Sequence, residues 1–407
     1  MTHLHRDVRL LMAVTGLMAV SFFGVQSLVK VLYVLRLGYG LEYIGLFNAT
    51  GALTYMVMSL PSGAFGNRFG LRASMRLGAA ITVLGMMLLP LTEATSGWLR
   101  MALPILSQVV LVGGWALFGV NMVPALMSLT EPQTRSQAYS LNSVFRGLGT
   151  FVGTVVGGFL PALFVLVLGV NLEDPAPYRW SLWVAAALSV VALWPLVKLD
   201  AIESRAPGGT GEAAGPFPLG WVALLVVYAF LVHGAFATCQ AFCAAYMDTD
   251  LQLSPGAIGV ISGAGQFIAM LTPLLVPGLV LRYNNRWMLI STALAMAVSL
   301  LPLVFFRHWL AVGVGRTGMM AVDAMWQPTL QLAQMESVVA RWRALAYGII
   351  AMMMGLTFAT VGLGGGYLIT SWGYRSLFVL GLTAALVGAL VLRLVWTRSA
   401  VIAQEAS

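Results

Sequence analysis

Five ionisable side chains lie deep inside long apolar stretches of this sequence: Lys30, Arg146, His233, Arg316 and Asp323. Placing Arg, Lys or Asp at the centre of a membrane helix costs about 2.5–3.5 kcal/mol on insertion scales, so each such residue indicates a functional site. Fixed cations and a buried carboxyl suit the reversible binding of a charged solute or a proton. Catalysis is not indicated, because no nucleophile–base pair accompanies them.

The stretch 309–335 carries the most informative pattern. At about 100° per residue, four polar side chains within it fall inside an arc of about 40° and share one helix face: Arg316, Asp323, Gln327 and Gln334. We expect Arg316, Gln327 and the nearby Trp326 to contact a substrate. Asp323 is the candidate proton carrier, because burial favours the neutral carboxyl. The alternative is that Asp323 only neutralises a nearby arginine and joins two helices.

Two other apolar stretches each present a pair of polar groups on one helix face. Gln26 precedes Lys30 by four residues, and His233 precedes Gln240 by seven. We expect Gln26, Lys30 and Gln240 to contact a substrate, and His233 to exchange protons, since histidine changes charge near neutral pH. The alternatives are that Lys30 extends its stem toward the membrane interface and that His233 is a packing residue.

Arg146 has no acidic residue nearby in the sequence to pair with it. A buried guanidinium needs a partner, which leaves Asp323, a water-filled cavity or an anionic substrate, the last of which its planar donors bind in bidentate fashion. A hydrogen-bonded structural role is equally open. Deep inside the apolar stretches, away from their ends, there are three fixed cations and one acid, Asp323, which favours an anionic or zwitterionic substrate.

The composition places these residues in a membrane. Of 407 residues, 59% are hydrophobic and 9% are charged, against roughly 25% charged in an ordinary soluble domain, and the mean hydropathy is +0.89. Soluble enzymes and disulfide-stapled secreted modules are excluded. Two cysteines, Cys239 and Cys243, allow no disulfide framework and are expected to pack between helices; we expect no metal and no cofactor.

Apolar stretches of about 20 residues or more predict twelve transmembrane helices and an all-α integral membrane fold. They cover 8–36, 41–66, 73–92, 101–129, 137–168, 180–197, 219–247, 255–281, 287–306, 309–335, 345–369 and 377–396. Lys and Arg then concentrate on the side that carries both termini, which the positive-inside rule assigns to the cytoplasm. The net charge of +8 is thus explained by topology, and no nucleic-acid partner is expected.

The sequence also repeats about a polar stretch, 200–218, that is rich in Gly, Pro and Ala and predicts a flexible cytoplasmic linker. It separates an N-terminal half, 1–199, from a C-terminal half, 219–407. Similar features recur in the same order in both halves, including Arg68 and Arg72 in one and Arg282 and Arg286 in the other. Parallel repeats of this kind predict six plus six helices with a substrate site at their interface.

The loop 63–72 resembles the signature G-x-L-a-D-R-x-G-R-[RK] of the major facilitator superfamily, with Asn67 where that family usually has Asp. The resemblance implies a twelve-helix fold of two pseudo-symmetric halves, a central cavity lined by spans one, four, seven and ten, and a gating loop with these residues: Gly63, Asn67, Arg68, Gly70 and Arg72. Glycines spaced between 149 and 158 resemble a motif of the family's exporters and antiporters, although small residues at such spacing also serve helix packing alone.

These observations predict a multi-pass protein of the inner (plasma) membrane that works as a monomer and moves a small organic solute by alternating access. We expect secondary active, proton-linked transport of an anionic or amphiphilic substrate, with export favoured by the glycine motif. A hydrophobic drug or lipid exporter is one alternative. A receptor that binds without translocating is another, from a different class. No Walker A sequence is present, so ATP-driven transport by this chain alone is excluded.

Overall fold

A computed structural model describes residues 6–130, 132–199, 219–337 and 340–405. The predicted linker 200–218 lies outside the described residues. The described chain is helical and contains no strand. In chain order the helices are α1 (Arg6–Met18), α2 (Ser27–Arg36), α3 (Leu41–Phe69), α4 (Leu71–Leu88), α5 (Trp98–Ser128), α6 (Pro132–Leu168), α7 (Ala176–Val197), α8 (Leu219–Thr249), α9 (Pro255–Leu271), α10 (Val276–Phe305), α11 (Trp309–Ser337) and α12 (Ala340–Glu405).

Four of these helices, α1, α2, α10 and α12, do not correspond one to one with the predicted spans. A π-helical stretch, Ala19–Gln26, joins α1 to α2 into a single continuous rod. Helix α10 breaks at Asn284, where φ is 66°, and α12 breaks at Gly373, where φ is 79°. A residue with positive φ cannot continue a right-handed helix, so α12 holds two helices end to end and covers the last two predicted spans.

Nine segments of the described residues are long and apolar enough to cross a membrane. They are Arg6–Arg36, Leu71–Ala94, Trp98–Leu126, Leu141–Leu168, Ala176–Val197, Leu219–Thr249, Pro255–Leu275, Arg282–Phe305 and Met352–Leu394. Helices α3 and α11 are absent from this set although they span 29 residues each; α11 carries the charged stripe. The prediction of a multi-pass all-α protein is therefore confirmed, whereas twelve spans and two halves stay predictions.

Glycines let α6 approach its neighbours closely. A Cβ on Gly153 would lie 2.1 Å from the carbonyl oxygen of Val20 in the π-helical stretch, and one on Gly158 would lie 2.7 Å from the Cα of Gly259 in α9. Helices in a membrane associate mainly through such close van der Waals packing. The glycine pattern of predicted span five thus has a direct packing role between α6 and two other helices.

The sequence repeat pairs two basic turns, one in each part of the chain, and these turns have the same backbone geometry. Gly70, between α3 and α4, has φ 88° and ψ 148°, and Asn284, within α10, has φ 66° and ψ 148°. Each lies between two arginines, Arg68 and Arg72 in the first turn and Arg282 and Arg286 in the second. The repeat is therefore visible in backbone conformation at this position.

Contacts between residues 6–199 and residues 219–405 cluster toward the end of the bundle where α2 ends, which we name the Arg36 end. There the Arg36 guanidinium binds Asp248 of α8 in bidentate fashion at 2.7 and 2.8 Å. Asn48 of α3 donates to the carbonyl of Ala241 at 3.4 Å. Positive-inside topology predicts that this end faces the outside, opposite to the termini.

Candidate functional site

A small polar pocket lies where the two parts of the chain meet. Its free volume is about 40 Å³, which holds a few water molecules, so a larger solute requires the surrounding helices to separate. Helices α2, α6, α8, α9 and α11 and the π-helical stretch supply its walls, with the residues Phe23, Gly24, Ser27, Leu28, Val31, Thr154, Gln240, Ala241, Ala244, Ser262, Gln266 and Arg316. The pocket contains two predicted site residues, Gln240 and Arg316.

Arg316 is the only charged side chain in this pocket's lining among the described residues. It is 6% exposed. Its Nη1 donates to the carbonyl oxygen of Cys239 at 3.5 Å, and the thiols of Cys239 and Cys243 also interact with its guanidinium. No carboxylate in the described ranges lies within ion-pair distance of it. The Nε of Arg316 and the hydroxyl of Ser262 are both buried without a hydrogen-bond partner. The pocket therefore holds hydrogen-bonding capacity that the protein does not itself satisfy.

The two predicted proton carriers lie together, although they come from different helices. Nδ1 of His233 on α8 is 3.7 Å from Oδ1 of Asp323 on α11. Gln327 donates to the other carboxylate oxygen of Asp323 at 3.4 Å. Neither Nδ1 of His233 nor Oδ1 of Asp323 has a hydrogen bond at these distances, so a small approach of α8 and α11 would let the pair share a proton.

Trp326 packs against the ring of His233 and does not line the pocket. Its ring stacks on the imidazole with the centroids 5.5 Å apart and the planes 15° apart. The indole N–H donates to the hydroxyl of Tyr228 at 3.0 Å, and Tyr228 donates to the carbonyl of Leu289 at 2.6 Å. Trp326 is fully buried, and its contact with a substrate stays a prediction.

The predicted cations of the first part of the chain lie in two different environments. Nζ of Lys30 is 3.5 Å from Oε1 of Gln108 on α5 and 5.5 Å from the ring centre of Phe47. It therefore points between helices rather than toward the membrane interface. The Arg146 side chain is exposed, with its guanidinium 5.8 Å from the ring centre of Phe23, a residue of the pocket. Asp323 is not its partner.

Several residues of this region were not singled out by sequence. Ser262 and Gln266 on α9 are four residues apart and both line the pocket; the one-face spacing rule that found the α11 stripe would also have found them. Arg36 and Asp248 stand at helix ends, where their charges resembled ordinary loop charges. Gln26 was singled out, but it is buried at 2% exposure and does not line the pocket.

The predicted gating loop is almost wholly helical, which corrects the loop expected from sequence. Gly63, Asn67 and Arg68 lie in the last turns of α3, Gly70 alone makes the turn, and Arg72 lies in the first turn of α4. Arg72 and Arg76 donate to the carbonyl of Val197 at the end of α7, which satisfies groups that a helix C-terminus leaves open. Arg68 is exposed, and Gly63 is half-buried. The side chain of Asn67 lies outside the described residues. The gating role of the loop stays a prediction.

A polar pocket between membrane helices, next to a buried carboxyl–imidazole pair, is typical of solute transporters. The chain belongs to the Major Facilitator Superfamily, whose model matches residues 11–247 and 225–406. This family consists of membrane transporters and not, in general, of enzymes. The resemblance seen in the loop 63–72 is thereby confirmed.

Relatives and solved structures of lower sequence identity agree with the assignment to this family. Over 178 residues the chain is 27% identical to "Multidrug resistance protein MdtH" of Yersinia pestis (strain Pestoides F), covering 40% of this chain and 43% of that protein. The match thus spans less than half the length of this curated relative. The fold is similar to the nucleoside transporter NupG, with TM-score 0.73, 11% identity and coverage of 96% and 99% of the two chains. It is also similar to a D-xylose–proton symporter, with TM-score 0.72, 15% identity and coverage of 94% and 96%.

Proposed function

We propose that this protein is a secondary active transporter of a small organic anion, and that Arg316 binds the anionic group of the substrate. The observation that carries the proposal is the state of Arg316. It is a buried guanidinium that lines the pocket between the two parts of the chain and has no acid within ion-pair distance among the described residues. A carboxylate or phosphate would supply the acceptors that the protein does not.

The polar neighbours of Arg316 define what else the substrate must offer. Gln240 and Gln266 carry both donors and acceptors, and Ser27 and Ser262 carry hydroxyls. A small hydrophilic anion matches this lining better than a large apolar molecule does. Arg146, exposed beside Phe23, provides a second cation along the same side of the pocket and favours an anion on its approach.

We propose further that transport is proton-linked through His233 and Asp323. The same two helices carry both functions: α8 holds His233 and Gln240, and α11 holds Asp323 and Arg316. Protonation of the pair changes the attraction between α8 and α11, and that contact also borders the substrate pocket. A proton and a substrate can therefore influence the same helix–helix contact.

Export is the favoured direction of transport. It is supported by the glycine pattern of α6 and by the relative named as a multidrug resistance protein.

A hydrophobic drug exporter is the second candidate function. The observation that favours it is an aromatic cluster, in which the rings of Phe22 and Trp115 stack with centroids 4.8 Å apart and Phe23 meets Trp115 edge-on at 4.9 Å. Such a wall would suit an apolar cation.

The test measures ligand stabilisation with matched variants. Purified wild type, Arg316→Ala and Arg316→Lys are screened by thermal shift against benzoate, succinate and glycerol 3-phosphate, with ethidium as the lipophilic cation. A ligand that binds the folded state must raise its apparent stability. Arg375→Ala, an exposed arginine outside the pocket, is the control.

We expect at least one anion to stabilise the wild type and the Arg375 control. Loss of a charge-assisted hydrogen bond costs about 1.5–3 kcal/mol, so Arg316→Ala should weaken binding by about 10- to 100-fold. Arg316→Lys should be intermediate, because it keeps the charge and loses the planar fork. If only ethidium stabilises the protein, and the Arg316 variants respond as the wild type does, the anion proposal is wrong and the drug-exporter candidate stands.

A further inference from the structure

The only two cysteines of the sequence, Cys239 and Cys243, lie four residues apart on α8. Residues at this spacing share one face of a helix, and the two sulfur atoms are 3.0 Å apart. Both side chains are buried, at 2% and 0% exposure. The pair is therefore a preformed dithiol, and the transport function proposed above uses neither thiol.

The dithiol borders the polar pocket and contacts the arginine of that pocket. Gln240 and Ala244, which line the pocket from α8, directly follow Cys239 and Cys243 in the sequence. The guanidinium of Arg316 on α11 interacts with both thiols, and its Nη1 donates to the carbonyl oxygen of Cys239 at 3.5 Å. Cysteines that react with electrophiles are typically found beside such a cation.

The surroundings of the two thiols restrict what they can bind. In the described chain, no third His, Cys, Asp or Glu joins them in a metal-ligand cluster, so the four ligands of a structural zinc site are not assembled there. Two thiols alone suit a soft centre that takes two sulfur ligands. A two-coordinate cation such as Cu(I) holds its sulfurs on opposite sides, whereas pyramidal As(III) holds two sulfurs close together. The 3.0 Å separation of the sulfur atoms matches the second arrangement.

We propose that Cys239 and Cys243 form a binding site for trivalent organoarsenicals, in which one arsenic atom bridges the two sulfurs. With phenylarsine oxide, two arsenic–sulfur bonds replace the double bond between arsenic and oxygen. Both thiol protons leave with that oxygen as one water molecule, and arsenic stays trivalent, so no oxidant or reductant is required. The site follows from the geometry of the two thiols and requires neither the anion nor the proton link proposed above.

Access to the thiols requires the same helix separation that admits a solute to the pocket. The pocket holds about 40 Å³, and neither thiol lines it. Separation of α8 from α11 exposes the face of α8 that carries both sulfurs, together with Arg316. An arsenic bridge then places a phenyl group between these two helices, beside the guanidinium. We therefore expect an anion at Arg316 and an arsenical on the dithiol to exclude one another.

The chain offers matched controls because it contains no other cysteine. Cys239→Ser and Cys243→Ser each keep one thiol, and Ala replaces Ser at a position where the serine variant does not fold. Cys243→Ser/Ala244→Cys keeps two thiols but moves the second by about 100° around the helix, onto a residue that lines the pocket. Ala241→Cys, also in the lining, replaces Ala244→Cys if that variant does not fold. The displaced-thiol variant thus separates the pairing of the two thiols from their accessibility.

The experiment measures adduct formation by the full-length protein in detergent. Wild type and variants are reduced with a trialkylphosphine, which carries no thiol, and are then incubated with phenylarsine oxide. Intact-mass spectrometry counts the adduct, and thermal unfolding reports whether each variant is folded. The monothiol mercaptoethanol and the dithiol dimercaptopropanol are added separately as competitors. A parallel sample contains the anion that most stabilises the wild type in the screen described above.

We expect the wild type to gain the mass of one reagent molecule less one water. It should keep this adduct in excess mercaptoethanol and lose it to dimercaptopropanol. Two linked ligands bind about 10²–10⁴-fold more tightly than one, so each single-thiol variant and Cys243→Ser/Ala244→Cys should bind at least about 100-fold more weakly. If the displaced-thiol variant binds as the wild type does, or if the wild type forms no adduct, the proposal is overturned.

The sample with the anion tests the position of the dithiol beside Arg316. An anion at ten times its Kd leaves about one-eleventh of the protein free, so adduct formation should slow about tenfold. An unchanged rate with the anion bound would contradict the mutual exclusion of anion and arsenical. If no anion binds, the anion proposal fails, while adduct formation by the wild type and its variants still decides whether the dithiol site exists.

Discussion

Arg36 and Arg316 both lie at the contact between the two parts of the chain, the first half-buried and the second buried, and their partners differ completely. The guanidinium of Arg36 meets both oxygens of Asp248, donates from Nε to the carbonyl of Leu172 at 3.2 Å, and lies 5.5 Å from the ring centre of Tyr178. Arg316 has one carbonyl at 3.5 Å and an Nε without a partner.

The difference is the one that our proposal requires between a structural arginine and a binding arginine. A guanidinium whose fork is filled by a carboxylate has no capacity left for a ligand, and it ties α2 to α8 at the Arg36 end. Burying a guanidinium without an acid costs desolvation free energy that no ion pair offsets. Such a guanidinium is stabilised only when another molecule brings the acceptors, and this is the behaviour of a binding residue.

The largest effect that this comparison predicts is at Asp248. Its side chain is 3% exposed. Removing one partner of a buried pair costs up to about 3–5 kcal/mol, and the exposed Glu173, 3.6 Å from Nε of Arg36, replaces the lost partner only in part. Asp248→Ala should therefore lower the midpoint of thermal unfolding in detergent strongly. The double variant Asp248→Leu/Arg36→Met should recover most of that loss. An equal loss in the single and double variants would show that the pair contributes through packing alone.

Arg316 is expected to behave in the opposite way in the same unfolding assay. Because it has no acid to leave behind, Arg316→Met should unfold at the wild-type temperature or above when no ligand is present. With a stabilising anion, the wild type should gain about 1.5–3 kcal/mol over the variant. A marked loss of stability in the ligand-free variant would mean that Arg316 has a structural partner, and the contrast with Arg36 would then disappear.

Sequence reasoning found the family, the membrane helices and most of the ionisable groups, since these depend on composition and on spacing along one helix. The face shared by Arg316 and Asp323 follows from helix periodicity alone. The ion pairs between different helices could not be predicted from the sequence, because they depend on how separate helices are rotated relative to one another. Asp248 lies 212 residues from Arg36, and nothing in either local sequence marks the other as its partner.

Lys30 is an intermediate case between the two arginines. Its Nζ lies 3.5 Å from Oε1 of Gln108 and 5.5 Å from the ring centre of Phe47. No carboxylate among the described residues pairs with it. Gln108→Leu removes the only side-chain acceptor and should cost about 1 kcal/mol, whereas Lys30→Met/Gln108→Leu should restore that amount. Thermal unfolding of the three proteins measures the coupling. Additive effects would mean that the two side chains do not interact.

His233 and Asp323 differ from the arginine pair because an imidazole, unlike a guanidinium, can gain and lose a proton. The attraction between α8 and α11 requires a proton on His233. The imidazole stacks on Trp326, and a cation against an aromatic face is worth about 0.5–1 kcal/mol. Protonation should therefore change the Trp326 emission, measured as the difference between wild type and Trp326→Phe. His233→Phe should abolish the pH-dependent part. A pH response that survives His233→Phe would place the titrating group elsewhere and leave Asp323 as the sole candidate carrier.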